Sequence, residues 1–330
     1  MIISKTPLRI SFAGGGTDLP SFYRYNEYGA VLSTSINKYI YVIIKEHSLL
    51  FPERFRFNYS ETEQVDNIDK IKNPIIRECL KFLNIDEKLY ICTVADAPGS
   101  SGLGSSSTFC VGLLNALYFY KGEVVSRGRL AEEAAYIEIE VLGRPMGKQD
   151  HYAAAFGGLN FIKFHADEKA SILPILGYKE IDSLLFQSLL TMWTGTERPS
   201  GSILSEQDKN SKKNCNVLLR MRAQAEQMYE MLNERDIIME NFGRLINKGW
   251  KLKRTLASNI SNSSIDDAYE TAMNLGAFGG KISGAGGGGF LNIIVPVDKS
   301  KVIADALIAK GMTPFKVAMD TSGTTVNRIN

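Results

Sequence analysis

Glycine is concentrated in three short segments of this chain, and each lies beside an apolar stretch. The segments are residues 14–18 (GGGTD), 98–108 (PGSSGLGSSST) and 279–289 (GGKISGAGGGG). Backbone N–H groups in such loops can approach a ligand closely, because no Cβ atom stands in the way. One cluster alone would indicate ordinary turns. Three clusters, each beside an apolar segment, favour phosphate binding.

The middle segment predicts a phosphate loop at the N-terminus of a helix. Residues 102–104 (GLG) lead into three serines, and an apolar helix is expected over residues 105–120. Free N–H donors and the positive end of the helix dipole would then lie behind the loop, with serine hydroxyls to help hold a cation. No GxxxxGK[ST] occurs, so the loop is not a P-loop. The third segment contains GxGxxG, but a strand and not a helix follows it, which excludes a Rossmann site.

A helix is predicted over residues 129–142, and one of its four glutamates falls on the apolar side. At 100° per residue, Glu138 lies at roughly 300°, inside an apolar arc from about 220° to 340°, with Glu132, Glu133 and Glu140 opposite. A buried carboxylate is costly unless it is paired or binds a metal. A salt bridge to a core arginine is one alternative. Ligation of Mg²⁺, which uses one or two carboxylates with phosphate oxygens, is the one we favour.

Asp150 ends the loop that follows this helix, residues 143–150 (GRPMGKQD). It could cap a helix through residues 152–156. Beside a phosphate loop and a buried glutamate, it could also act as the base for a substrate hydroxyl. The residues alone leave both roles open.

The chain length of 330 residues predicts two domains. The composition loosens over residues 166–186, and we place the boundary between 178 and 179. Strands are expected at residues 2–12, 39–45, 89–94, 157–164, 188–195 and 290–296. A long helix carries the core stripe Leu218, Met221, Ala225, Met228 and Leu232, and a shorter helix begins near 302 and ends at Gly311. Strands mixed with helices predict an α+β second domain.

The net charge and composition argue against some classes of binding partner. The formal net charge is +2 and no basic run occurs, which argues against nucleic acid as the main partner. The most apolar segment, residues 109–120, is too short to span a bilayer, so no membrane partner is expected. The four cysteines have no metal-binding spacing, and no signal peptide is evident; we expect a cytoplasmic protein.

The three glycine motifs together resemble those of the galactokinase, homoserine kinase, mevalonate kinase and phosphomevalonate kinase (GHMP) superfamily, over nearly the whole chain. PGSSGLGSSST is similar to the family phosphate loop PxxxGLGSSAA, and GGKISGAGGGG is similar to the third family motif. KTPLRISFAGGGTD is similar to the sugar-kinase form of the first motif. The resemblance implies an α+β fold with an N-terminal domain like that of a ribosomal protein (1–178) and a C-terminal ferredoxin-like domain (179–330).

The resemblance also implies roles for individual residues. Asp150 is the expected catalytic aspartate, and Arg9 is the basic residue beside it that steadies charge on the reacting oxygen. Ser106 and Glu138 match the magnesium ligands, and Asp18 matches an aspartate that binds sugar hydroxyls. The expected ATP-binding residues are Pro98, Gly99, Ser101, Gly102, Leu103, Gly104, Ser105, Ser106 and Ser107. The expected substrate-binding residues are Gly15, Gly16, Thr17, Asp18, Gly284, Ala285 and Gly286.

The identity of the acceptor sugar is expected from a closer resemblance to one branch of the family. The runs GGGTD, GRPMGKQDHYAAAFGG and TGTERPSGSIL are most like those of the branch that acts on D-glycero-D-manno-heptose 7-phosphate. This implies an ATP- and Mg²⁺-dependent kinase that phosphorylates the anomeric C1 hydroxyl to give the 1,7-bisphosphate, for nucleotide-activated heptose of surface polysaccharide. A homodimer is compatible with the sequence. The alternatives are a fucokinase-like hexose 1-kinase and a catalytically silent sugar-binding member of the fold.

A phosphorylated acceptor requires a cation near the site. The glycine triplet at residues 14–16 replaces the GEH of galactokinase-like motifs, which opens space for a longer or phosphorylated sugar. The candidate cations are Lys5, Arg24, Lys148, Arg198 and Lys281. A bidentate arginine is the preferred partner of a phosphate. The sequence does not say which cation binds it.

Overall fold

The computed structural model describes residues 1–175, 178–197, 201–234 and 237–329. Its strands are β1 (Ile2–Ala13), β2 (Tyr28–Glu46), β3 (Phe55–Asn58), β4 (Thr62–Val65), β5 (Leu89–Ala95), β6 (Leu159–His165), β7 (Ala170–Pro174), β8 (Leu189–Trp193), β9 (Gly279–Ile282), β10 (Phe290–Ile294), β11 (Thr313–Pro314) and β12 (Thr325–Arg328). Its α-helices are α1 (Pro20–Tyr23), α2 (Pro74–Phe82), α3 (Ser105–Tyr120), α4 (Arg127–Tyr136), α5 (Gln149–Phe156), α6 (Tyr178–Ser188), α7 (Gly201–Lys209), α8 (Cys215–Asn233), α9 (Met239–Lys253), α10 (Ser263–Asn274) and α11 (Ser300–Ala309).

The first sheet is organised around the long strand β2, which is rich in β-branched and aromatic residues. The sheet runs β12-β1-β2-β5-β3-β4, and β6 and β7 extend it beside the first half of β2. All pairs are antiparallel except β3 with β5. The predicted strand at 39–45 is therefore only the second half of an element that begins at Tyr28. Helices α3 and α5 pack on this sheet.

The second sheet is smaller and antiparallel throughout, in the order β11-β8-β10-β9. Helix α9 packs against β9 and β10, and α11 packs against β8 and β11. The strand that follows the third glycine segment is β10, as predicted. Helices and strands are thus mixed in both units, and the α+β prediction is confirmed.

The predicted helix over residues 129–142 differs from the observed backbone. Helix α4 ends at Tyr136, and the chain continues as a π-helical turn, Ile137–Val141, before Gly143. The N–H of Leu142 donates to the carbonyl of Ile137, a hydrogen bond over five residues, at 2.9 Å. Such turns often occur at functional sites. Glu138 lies inside it.

The predicted core stripe of α8 is confirmed, because all five of its residues are buried. Its first two members belong to the hydrophobic core under the second sheet. The other three belong to the core of the first sheet. One helix therefore joins both cores.

The two sheets do not correspond to two consecutive segments of chain. The chain passes from β7 of the first sheet to β8 of the second through residues 176–177, which lie outside the described part, and α6. The predicted domain boundary between residues 178 and 179, near this crossing, stays a prediction. The assignment of the last residues to the second domain needs a correction, because β12 pairs with Ile2–Lys5 of β1 and so belongs to the first sheet.

Candidate active site

The three glycine-rich segments line one cleft of about 170 Å³ between the two sheets. The predicted site residues that line it are Arg9, Gly15, Gly16, Asp18, Gly102, Gly104, Ser105, Ser106, Ser107, Asp150, Gly284, Ala285 and Gly286. The others do not line it: Pro98 and Gly99 are exposed, and Thr17, Ser101, Leu103 and Glu138 are buried. The structure thus brings the second and third motifs, which are far apart in sequence, onto one cavity.

The phosphate-loop motif forms a turn that opens directly into helix α3. Gly104 is the residue before the helix and has φ +81°, a left-handed conformation that favours glycine. A Cβ atom there would lie 3.3 Å from an Asp150 carboxylate oxygen. The hydroxyls of Ser105 and Ser107 are buried and have no hydrogen-bond partner among the described residues. Together with the first N–H groups of α3, they are donors available to an anion.

Arg9 and Asp150 form a bidentate ion pair at the base of the cleft. Nε of Arg9 donates to Oδ1 of Asp150 at 2.6 Å, and Nη2 donates to Oδ2 at 2.7 Å. Nη1 of Arg9 donates to the carbonyl of Gly102 at 2.5 Å, which ties the pair to the phosphate loop. The Arg9 side chain is 4% exposed and that of Asp150 is 16% exposed. Two parallel charge-assisted bonds hold the carboxylate in one orientation, with one face toward the cleft.

Asp150 lies in the first turn of α5, and Lys148, not Asp150, is the N-cap residue. The capping role that the sequence left open is therefore not its role here. A carboxylate has about four acceptor positions, and Arg9 uses two of them. Asp150 can still accept a hydrogen bond from a hydroxyl in the cleft.

Asp18 closes the side of the cleft that faces the first glycine segment. It is 2% exposed. Its Oδ1 accepts from the N–H of Gly16 at 2.9 Å, and its Oδ2 accepts from Nε2 of Gln149 at 3.0 Å. Burial raises the pKa of Asp18, and the negative charge of Asp150 adds to this effect. A Cβ atom at Gly147 would come within 1.9 Å of Oδ2, so only glycine fits against this carboxylate.

Thr17 supports the first glycine loop from behind. Its hydroxyl donates toward the carbonyls of Gly14 and Ala30, at 2.8 and 2.9 Å, and accepts from the N–H of Ala30 at 2.9 Å. The predicted contact of Thr17 with a substrate is not supported by this geometry. Its bonds fix the loop that presents Gly15 and Gly16.

Glu138 is fully buried, as its place in the apolar arc predicted, and Glu140 is exposed. One oxygen of Glu138 accepts from Nε2 of His151 at 2.8 Å. The other contacts both the Ser106 hydroxyl and the Arg144 guanidinium. Burial opposes ionisation of Glu138, but the hydrogen bond and charge of His151, with those of Ser106 and Arg144, lower its pKa to about 2. The arginine ion pair that the sequence left as an alternative is therefore present.

The Arg144 guanidinium bridges the two predicted metal ligands. Its Nη1 donates to the Ser106 hydroxyl at 2.6 Å and to the Glu138 carboxylate. Two hard oxygen donors thus converge on one positive charge, which is the donor set that Mg²⁺ uses with phosphate oxygens. The residues fit a divalent cation in the place that Arg144 occupies here. The roles of Arg144 and His151 were not found from the sequence, because their contacts cross the turn between α4 and α5.

Two lysines also line the cleft, on the wall formed by the second sheet. Lys281 of β9 was among the candidate cations, but Lys253 at the end of α9 was missed. A signal for it exists: Phe242, Ile246 and Trp250 are buried at helical spacing, and Lys253 continues that stripe.

The other candidate cations have partners elsewhere. Arg24 and Lys148 both pair with Glu168. Nζ of Lys5 lies 3.9 Å from the ring centroid of Tyr39. Arg198 lies outside the described residues. Of the four candidates that the structure describes, Lys281 is the one that lines the cleft.

Comparison with known proteins defines the class. Residues 73–158 match the GHMP kinases N terminal domain, and residues 223–312 match the GHMP kinases C terminal domain. The chain belongs to the GHMP kinase family and is an ATP-dependent sugar kinase.

Individual relatives narrow the comparison. The chain is 30% identical to D-glycero-alpha-D-manno-heptose 7-phosphate kinase of Campylobacter jejuni, over 93% of each protein. It is 26% identical to galactokinase of Pyrococcus furiosus, over 95% of this chain and 94% of that protein. The solved structure of a D-glycero-D-manno-heptose 1-phosphate kinase from Bacteroides thetaiotaomicron aligns over the whole of both chains, with a TM-score of 0.81 and 24% identity. At that identity, the alignment supports the fold alone.

Every helix in the described part of the chain is too short or too polar to cross a membrane.

Proposed function

We propose that this kinase transfers the γ-phosphoryl group of ATP to the anomeric C1 hydroxyl of D-glycero-D-manno-heptose 7-phosphate and releases the 1,7-bisphosphate. The observation that carries the proposal is the Arg9–Asp150 pair, which opens on a cleft between the phosphate loop and Asp18. The product would feed the synthesis of nucleotide-activated heptose for surface polysaccharide.

The Asp150 carboxylate accepts the proton of the C1 hydroxyl, or orients it, as the oxygen attacks the γ-phosphorus. The bond between that phosphorus and the bridging oxygen breaks, and ADP leaves. Such a transfer depends mainly on positioning and on charge stabilisation. Arg9 supplies both, because it fixes the carboxylate and places a positive charge beside the reacting oxygen. Asp18 and the N–H groups of the first glycine loop would bind the sugar hydroxyls.

The loop at residues 98–107 and the N-terminus of α3 would bind the ATP phosphates. Ser106 and Glu138 would hold Mg²⁺, which supplies charge neutralisation between the phosphate oxygens. Arg144 would then have to leave the two oxygens that it bridges here. Ser106 is exposed and Arg144 is one-third exposed, so this exchange needs no opening of the core.

Support for a phosphorylated heptose comes from two directions. The most informative relative carries this substrate in its name and matches nearly the full chain. The glycine triplet replaces larger side chains of galactokinase-like motifs, and Lys281 adds a positive charge to the cleft. The names of the two heptose kinases place the phosphate at different carbons, so the position is part of the proposal.

An acceptor screen tests the substrate. Purified protein with ATP and Mg²⁺ would be given heptose 7-phosphate, heptose 1-phosphate, free heptose, fucose, mannose and galactose, and ADP release would be measured with Asp150→Asn as the blank. We expect the highest kcat/KM with heptose 7-phosphate and a product phosphorylated at C1 by ³¹P NMR. Efficient turnover of an unphosphorylated hexose, with heptose 7-phosphate inert, would replace this proposal by the fucokinase-like alternative.

One alternative outcome and two further expectations accompany the proposal. A protein that binds sugar but transfers no phosphoryl group to any acceptor would be the silent member of the fold. A cytoplasmic location is expected because ATP is the phosphoryl donor. The homodimer stays a prediction, which light scattering of the purified protein would check.

A further inference from the structure

Lys253 and Lys281 are buried in the cleft without a carboxylate partner among the described residues. They are 5% and 6% exposed. Nζ of Lys281 donates to the carbonyl of Ser11 at 2.8 Å, and Nζ of Lys253 donates to the carbonyl of Gly284. Within the described part of the chain, neither forms an ion pair. Each ammonium group has three donors, and one carbonyl satisfies only one of them.

The surroundings of the two lysines are electrostatically unfavourable. Burial lowers the pKa of both, and the positive charge of Arg9 lowers it further in each case. The pKa of Lys253 falls to about 8. Lys253 also depresses the pKa of Lys281. The carboxylates that offset this charge are Asp18 and Asp150, and Asp150 is already bound by Arg9. A buried charge is costly unless it is paired, so an anion bound at this wall would stabilise the protonated form of both lysines.

Neutral donors accompany the two ammonium groups. The Ser11 hydroxyl and Nε2 of Gln207 are buried, line the same cleft and have no hydrogen-bond partner among the described residues. Two cations with two neutral donors match a tetrahedral dianion better than a carboxylate, which carries one charge in a plane.

We infer that Lys253 and Lys281 form a binding site for a phosphate group in the cleft. The inference rests on the proposed function for the identity of the ligand, and that group has two sources. One is the phosphate that the acceptor sugar already carries. The other is the phosphoryl group that ATP donates. The site is built from α9 and β9, outside the phosphate loop and outside the Arg9–Asp150 pair.

The test uses calorimetric titration of Lys253→Gln, Lys281→Gln and the wild type. Lys251→Gln is the matched control, since Lys251 lies on the same helix and is exposed. The probes are heptose 7-phosphate, free heptose, inorganic phosphate and the non-hydrolysable ATP analogue AMP-PNP with Mg²⁺. Losing a hydrogen bond to a charged group should weaken binding of the affected probe about tenfold or more. The control should bind every probe as the wild type does.

The pattern of losses identifies the source. Weaker binding of heptose 7-phosphate, with free heptose and AMP-PNP unchanged, assigns the site to the phosphate of the acceptor. Weaker binding of AMP-PNP, with heptose 7-phosphate unchanged, assigns it to the transferred group. Unchanged binding of all phosphorylated probes in both variants overturns the inference.

Two additional measurements distinguish failure of the phosphate site from failure of the proposed function and from a purely structural role of the lysines. If wild-type protein does not phosphorylate heptose 7-phosphate, the proposed function fails, but lysine-dependent binding of inorganic phosphate or AMP-PNP still supports the site. Thermal unfolding of both variants and of Lys253→Met distinguishes a structural role. We expect melting temperatures equal to or above that of the wild type, since an unpaired buried charge is removed. A large fall in every lysine variant would mean that the lysines serve the fold, and would overturn the site.

Discussion

The two walls of the cleft treat charge in opposite ways. On the first-sheet side, two carboxylates have cationic partners: Asp150 pairs with Arg9, and Glu138, which lies behind the cleft lining, pairs with Arg144 and accepts from His151. Asp18 accepts hydrogen bonds from neutral groups of Gly16 and Gln149. On the second-sheet wall, Lys253 and Lys281 have only carbonyl oxygens. The two parallel hydrogen bonds from Arg9 fix the Asp150 carboxylate before any ligand arrives, as phosphoryl transfer requires. On the second-sheet wall, a bound phosphate group would be the charge partner of the two lysines.

The largest effect is expected from Asp150→Asn. The amide keeps the size of the carboxylate but neither accepts a proton nor pairs with Arg9. If Asp150 is the base, kcat should fall by roughly 10²- to 10⁴-fold, measured as ADP release under saturating substrates. Asp167→Asn, at an exposed site, is the control. Turnover near that of the wild type would remove Asp150 from both the base role and the orienting role.

Removing one cation from each wall should move stability in opposite directions. Arg9→Met leaves Asp150 without its partner, and breaking such a pair costs about 3 kcal/mol. Lys253→Met should leave the free energy of unfolding unchanged or raise it. The pKa of Lys253 is about 8, against an ordinary value of 10.5. Its burial penalty is therefore present in full below pH 8, and stability rises with pH from there to 10.5. Urea unfolding at pH 7 measures the free energy of unfolding of both variants. Equal losses of that free energy in the two variants would contradict the difference between the two walls of the cleft.

The two glutamates of the π-helical turn region should respond differently to magnesium. Glu138→Gln should raise the Mg²⁺ concentration needed for half-maximal turnover about tenfold or more. Glu140→Gln should not, because Glu140 is exposed and pairs with Arg24, at 3.4 Å. Turnover of both variants, measured as a function of Mg²⁺ concentration, tests this difference. A higher requirement in Glu140→Gln alone would show that the apolar arc identified the wrong glutamate.

The smallest expected effect is a pH dependence of phosphate binding at Lys253 and Lys281. Arg9, Lys281, Asp18 and Asp150 are the charged groups that interact with Lys253 in the cleft. A phosphate binds the protonated lysine, so affinity should weaken about tenfold between pH 7 and pH 9 as Lys253 loses its proton. Titration of inorganic phosphate at several pH values measures this. The slope should flatten in Lys253→Gln and persist in Lys251→Gln.

The sequence predicted what depends on local pattern. Glycines at 102 and 104 before three serines located the start of α3, and the angular position of Glu138 predicted its burial. The apolar run at residues 109–120 was long enough to predict a buried helix, and it lies in α3.

The sequence could not predict what depends on long-range packing. The contacts of Arg144 follow from how a loop folds back over a π-helical turn, and the α-helical wheel contains no such turn. Lys253 resembles a surface residue because lysine usually ends a helix in water. Only the stripe that it shares with Trp250, and the sheet packed on that stripe, reveal it as buried.

The pairing of β12 with β1 has a consequence for how the chain is made. Thr6 and Thr324, 318 residues apart in sequence, share a hydrogen bond of 2.8 Å beside the strand that carries Arg9. During synthesis, β1 leaves the ribosome well before the strand that covers its edge, because most of the described helices and strands lie between β1 and β12 in the chain. Until then, Ile2–Lys5 offers unpaired N–H and C=O groups, the kind of edge that recruits a strand from another molecule. The strand that holds Arg9 thus keeps one open edge until the chain between β1 and β12 has been made, and the nascent chain needs protection at this edge during that time.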